Sequence, residues 1–454
     1  MNRIIIIGNG FDKAHGLATG YMDFIDSYWT NVSNHIFDSY KRYLVKHWGV
    51  LHAPCAYEDE FVFFEVFQDN QHKTAESSSP QSCSSPYEEV RGLVSVFNDS
   101  RDTRYKGSVC LTFKNKFFEH ISSHCSLTNW VDIENEYYGK LKELLLENDT
   151  LLRTERVRTL NQDFDAIKKH LESYLTQVFK EAQIEPSIPI QEAFNSLIDP
   201  NEIAYSKLKE VLDSIVYQTK HANFLKAMSF PKTKARIVSH SESSEKSDID
   251  KIQSLLQDNL SKKRFCTPAQ TLILNFNYTS IVENFYDREK YEFINIHGQL
   301  YNGGNPIIFG YGDELDDDYK RIEKLQDNDF LENIKSVRYH ETGNYRQLLG
   351  FIESGLYQVI TMGHSCGNSD RTLLNTLFEH SNCISVKVYY HQREDGTDDY
   401  SQLIRNLSRN FNDKAAMRDK VVNKEYCSPL IPVLEKILHG AHTERDDTNR
   451  KRSI

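Results

Sequence analysis

The chain has 454 residues, 39% of them hydrophobic, with 54 Lys and Arg against 65 Asp and Glu for a formal net charge of −11. This acidic balance excludes a general nucleic-acid or anionic-membrane surface, and the length fits about two or three domains with sizeable cores. Eight scattered cysteines, no C-x-x-C pair and no signal peptide point to a reduced, cytoplasmic setting and argue against a metal centre.

The chain opens on Ile4-Ile5-Ile6-Ile7-Gly8-Asn9-Gly10-Phe11-Asp12. Four β-branched residues in a row read as a strand buried on both faces. Glycines at 8 and 10 allow a tight turn whose free N–H groups would face an anion such as a nucleotide phosphate. The next glycine is Gly16, so the spacing is not G-x-G-x-x-G. Apolar residues then recur at helical spacing over residues 21–48, 113–124, 133–146, 160–182 and 203–228, a mainly helical block. Polar, serine-rich stretches at 77–86 and 239–247 read as surface loops or disordered linkers. Within Trp130-Val131-Asp132-Ile133-Glu134, Asp132 reads as a helix N-cap with Glu134 in the first turn, the alternative being entry of both carboxylates into a cleft.

Strand-like runs return at 271–276, 291–296, 307–310, 357–362 and 385–390. The first strand has no sequence-local partner and must pair with this late cluster. The expected fold is therefore α/β, Rossmann-like, with a mostly parallel sheet that is discontinuous in sequence. Residues 1–20 plus 268–400 would form the nucleotide-binding domain, 21–267 a large mainly helical insertion with disordered loops near 70–105 and 239–250, and 401–454 a helical segment with a charged tail. The acidic stretch 312–318 reads as a solvated loop.

Each returning strand ends in polar residues: Asn275-Phe276-Asn277-Tyr278-Thr279, Asn295-Ile296-His297-Gly298 and Gly363-His364-Ser365-Cys366-Gly367-Asn368-Ser369-Asp370. Singly these are caps and turns. With the first turn they place four polar, glycine-containing loops on one sheet edge, where α/β folds bind ligands. Gly363–Gly367 also fits G-x-S-x-G, the elbow of a serine hydrolase with Ser365 as nucleophile, although no convincing acid and histidine follow it.

These motifs, with Trp130 to Glu134, Tyr137, Leu160-Asn161 and Asp163-Phe164, resemble the AbiH family of bacterial phage abortive-infection proteins. The order of the Gly-x-Gly loop, Asn-Tyr, His-Gly and Gly-x-Ser is also similar to sirtuin-like NAD hydrolase domains of phage defence. That second resemblance implies His297 and Asn277 as the catalytic pair, with Thr279 standing where the motif carries Asp. The implied activity is NAD glycohydrolase-like cleavage of the N-glycosidic bond of NAD or a related nucleotide, with His297 as base and Asn277 orienting water or ribose. Gly8, Asn9, Gly10, Phe11, Asp12, Tyr278, Gly363, His364, Ser365 and Asp370 are the expected nucleotide-binding residues. A non-catalytic nucleotide sensor signalling to a partner is the alternative. A phage-derived or host trigger protein and a homo-oligomer stand open as partners; general nucleic-acid and membrane binding are not expected.

Overall fold

A computed structural model describes residues 1–46, 56–68, 85–99, 107–128, 132–229 and 247–433. Its strands are β1 (Asn2–Ile7), β2 (Ala56–Glu58), β3 (Val62–Gln68), β4 (Gly107–Phe113), β5 (Thr271–Asn275), β6 (Glu292–Asn295), β7 (Tyr357–Met362), β8 (Cys383–Tyr390) and β9 (Ser428–Pro429). Six of them form one parallel sheet in the order β6-β5-β1-β7-β8-β9. The chain's first strand is thus central, flanked by β5 and β7. All six residues of β1 and of β7 are buried, as a strand covered on both faces requires.

Alternation divides the sheet between two cores. Ile4, Ile6, Leu272, Leu274 and Val359 face the helices Asn344–Glu353, Arg371–Glu379 and Tyr400–Asn410. Ile5, Ile7, Ile273 and Ile360 face the other way, against Phe11, Phe194 and Tyr286. Described residues of the expected insertion, within 188–215 and 249–266, therefore cover the sheet: Phe194 packs on Phe11, and Ile198 shares a cluster with Ile384. A separate aromatic core around Trp29, Phe61, Phe118 and Phe164 joins the helices Tyr21–Lys46, Lys116–Thr128, Ile133–Leu144 and Thr150–Glu181 to Phe64 of β3 and Phe113 of β4. No helix among the described residues is long and apolar enough to cross a membrane.

Several sequence expectations are corrected. The helical block contains a three-stranded antiparallel sheet, β2-β3-β4, and Phe113 ends β4 instead of starting a helix. Residues 86–99 of the expected 70–105 loop form a helix, Pro86–Asp99, and the end of the expected 239–250 loop is the start of the helix Asp248–Leu255, capped by Ser247; residues 69–84, 100–106 and 230–246, Trp130, Val131 and the tail beyond 433 lie outside the described residues. Residues 307–310 are buried but form no strand, because Ile308 N–H donates to His297 O and Tyr311 N–H to Asn333 O in a crossing loop. A short apolar run carries no period to distinguish these outcomes. The stretch 312–318 is not a free solvated loop either: Asp313 is buried against Arg371, and Asp316 caps the helix Asp317–Leu325.

Candidate functional site

The sheet register sets the site. Ile7 lies opposite both Asn275 and Met362, and Asn275 opposite Asn295, so the turns leaving β1, β5, β6 and β7 emerge side by side. Contact between two of them is what the glycines permit. A Cβ on Gly10 would stand 2.8 Å from Gly363 Cα and one on Gly8 2.6 Å from His364 Cα, while Gly363 takes φ +70. The N–H groups of Gly8 and Gly10 donate to Met362 O and Gly363 O at 3.2 and 2.7 Å. They are therefore engaged between turns, where the sequence reading expected them free to face an anion.

The first polar cluster centres on Asp12, only 2% exposed. Asn277 Nδ2 donates to its Oδ1 at 2.7 Å and to Gly8 O at 3.1 Å, and Thr279 Oγ1 donates to its Oδ2 at 2.7 Å. Burial pushes the Asp12 carboxyl up to about 7 against the opposing pull of Thr279 and Asn277. Loss of hydration disfavours the charged form more than two donors restore it.

The second cluster centres on Asp370. Lys335 Nζ lies 2.8 Å from Asp370 Oδ1 and 2.8 Å from Glu134 Oε2, and is 1% exposed. His297 Nε2 lies 3.2 Å from Asp370 Oδ1, and His364 Nε2 3.5 Å from Oδ2. The Cys366 N–H donates to His364 Nδ1, which turns Nε2 toward Asp370. Burial is opposed at Asp370 by Lys335 and His297, which hold its carboxyl well below the usual range. Burial and the Lys335 charge push His297 down to about 4. Glu134 is pushed up to about 7 by burial, despite Lys335. Its Oε1 accepts the Gly310 N–H at 3.1 Å.

Both clusters line one cavity of about 410 Å3, roofed by Tyr21, Leu171 and Leu175 from the helical block. The size falls in the range of small-molecule sites. Gly8, Asn9, Gly10, Asp12, Asn277, Tyr278, His297, Gly363, His364, Ser365 and Asp370 all reach it. Phe11 does not: it is fully buried in the core against His15 and Phe194. Asp132 caps its helix, accepting the Asn135 N–H at 3.1 Å, and also lines the cavity with Glu134, so both readings of that pair hold.

Sequence reasoning missed Lys335, a lysine in an unremarkable polar stretch, and Tyr339, whose hydroxyl lies 3.3 Å from His297 Nε2. Ser365 is exposed, and its Oγ has no hydrogen bond to a histidine among the described residues. Positive φ falls on Gly363 and Cys366, not on Ser365 as a strained nucleophile turn would lead one to expect.

No curated protein and no solved structure matches the chain. The family model described as bacteriophage abortive infection AbiH matches residues 4–391, a span that runs from β1 through β8 and includes every cavity residue described above. The chain accordingly belongs to the AbiH family, and its role is that of a phage abortive-infection protein.

Proposed function

We propose that the cavity binds NAD or a related nucleotide and that the protein hydrolyses its N-glycosidic bond as the abortive-infection effector step. The observation that carries this reading is the meeting of three buried carboxylates, Asp12, Glu134 and Asp370, in one cavity at the C-terminal edge of a parallel sheet. Departure of a base from ribose builds positive charge on the sugar, and carboxylates fixed in a water-poor site stabilise that charge more than bulk water does. Polar strand-end turns are also where α/β sheets receive nucleotides.

In this reading Asp12 accepts the proton of the attacking water, since a base works best with a pKa near the operating pH. Asn277 and Thr279 orient it, so Asn277 is a positioning residue. His297, neutral at pH 7 and a weak base there, holds Asp370 by hydrogen bonding instead of accepting the proton. Tyr278 and Phe276 shield the sugar from solvent. The sensor reading draws on Glu134, through which a ligand would touch the helical insertion directly.

Nucleotide profiles of cells expressing the protein, with and without phage, test the proposal. Loss of NAD with rising ADP-ribose and nicotinamide during infection, absent in Asp12→Asn, is expected. Unchanged nucleotide pools alongside intact phage protection would overturn it, and calorimetric binding of NAD without turnover would then favour the sensor.

A further inference from the structure

The cavity is electrically lopsided. Among its described lining residues Lys13 is the single Lys or Arg, against the four carboxylates Asp12, Asp132, Glu134 and Asp370. The carboxylates of Asp12, Glu134 and Asp370 are buried, whereas the Lys13 side chain is 48% exposed, which places the cation at the mouth and the acids on the floor. Lys13 Nζ lies 3.1 Å from Asp23 Oδ2, and the same oxygen accepts the Gly20 N–H at 2.8 Å. The missing side chain of Gly20 lets these groups pack closely: a Cβ would stand 2.8 Å from Asp23 Oδ2, 3.2 Å from Lys13 Nζ and 3.3 Å from Asn9 Nδ2. The Lys13 ammonium and the Asn9 amide thus flank Gly20 at the cavity mouth, where the Gly20 N–H is already given to Asp23.

We propose that Lys13 and Asn9 at the mouth receive a phosphate of the ligand, so that the nucleotide lies with its phosphate at the mouth and its sugar–base bond on the acidic floor, and that Asp23 holds Lys13 when no ligand is bound. The inference rests on the nucleotide reading and adds the ligand's direction to it. A phosphate driven to the floor would meet three buried carboxylates, two of them already paired with Lys335, while at the mouth it meets Lys13, the one cation that lines the cavity. It also narrows the ligand class. A bridging diphosphate, with one negative charge per phosphorus, suits a single lysine better than a terminal triphosphate does.

Calorimetric titration of ADP-ribose into the parent, Lys13→Met, Lys13→Arg and Asp23→Asn proteins tests it, with thermal melts to establish that each is folded. Lys13→Met is expected to weaken binding about tenfold, with Lys13→Arg restoring most of the loss. Asp23→Asn, which keeps an oxygen for the Gly20 N–H but frees Lys13 from its counter-charge, is expected to bind more tightly than the parent. Added salt should weaken ADP-ribose binding by the parent more than by Lys13→Met, a difference that a merely structural lysine would not produce. Parent-like affinity and salt dependence in folded Lys13→Met would overturn the orientation while leaving the nucleotide reading standing. Failure of the parent to bind either NAD or ADP-ribose would remove both.

Discussion

The Nδ2 of Asn277, two residues beyond β5, stands 2.7 Å from the Oδ1 of Asp12, which follows β1. The same nitrogen reaches Gly8 O, so one amide ties two strand-end turns together and holds the carboxylate that faces the cavity. Asn277→Ala leaves a buried acceptor short of a donor and should destabilise the fold by about 1–3 kcal/mol. It should also raise the Asp12 pKa further, which the pH at half-maximal activity reads out. A melt and a pH profile both matching the parent would remove Asn277 from the site.

Asp12 itself gives a pH signature. Its carboxyl is raised from 3.8 to about 7 by folding. Between those values the folded protein keeps a proton that the unfolded chain has released, so the stability contributed by this group falls as pH rises from about 4 to about 7. Asp12→Asn should flatten that part of the melting-temperature profile. In the hydrolysis reading the parent's activity rises with pH through about 7, because the working form is the carboxylate. Equal pH slopes in parent and variant would show that Asp12 does not titrate there.

Lys335 bridges Glu134 and Asp370 away from solvent. Lys335→Met leaves two carboxylates facing each other without a counter-charge and should cost about 3–5 kcal/mol. Adding Glu134→Gln removes one of the stranded charges and should recover part of the loss. The double variant melting at or below the single one would mean that the two residues are not coupled.

Gly10→Val is expected to destabilise by about 1–3 kcal/mol with or without ligand, since its Cβ meets the Gly363 backbone at 2.8 Å. Urea unfolding of the unliganded protein measures this. A variant as stable as the parent would show that the two turns separate readily.

Ser365 is not expected to be labelled by a fluorophosphonate, because no histidine base is hydrogen-bonded to its Oγ among the described residues and an unactivated hydroxyl is a poor nucleophile. Mass spectrometry of the treated protein reads the outcome. Stoichiometric modification at Ser365 would reinstate the hydrolase reading.

Strands β1 and β7 were legible because doubly covered strands are written as unbroken apolar runs, and β7 coincides with its expected bounds. The partnership of β1 with β5 and β7 followed from its lack of a local neighbour. By contrast β3, Val62–Gln68, lies within the block read as mainly helical, just before the loop expected near 70–105, although Val62-Phe63-Phe64-Glu65-Val66 carries aromatic and β-branched residues suited to a strand. Much of the site's outline was readable from glycine and asparagine at strand ends, but its charge balance was not. Lys335 meets Glu134 across 201 positions and Asp370 across 35, and nothing local to a lysine marks it as the one that will be buried. The roles of Gly8 and Gly10 were similarly hidden, for a glycine that admits a ligand and one that admits a neighbouring loop look alike until the neighbour is known.

The central place of β1 also governs when the protein can begin to work. During synthesis this strand is made well before its partners, since β5 begins at Thr271 and β7 ends at Met362. At about 5–20 residues per second, the nascent chain carries an unpartnered apolar strand for tens of seconds, and sheet closure awaits its most distant contacts. Until β7 has emerged there is no Gly363 for Gly10 to touch and no Asp370 to face Lys335. Chains that stop short of Asp370 therefore lack the pocket, whatever the rest of them has folded into.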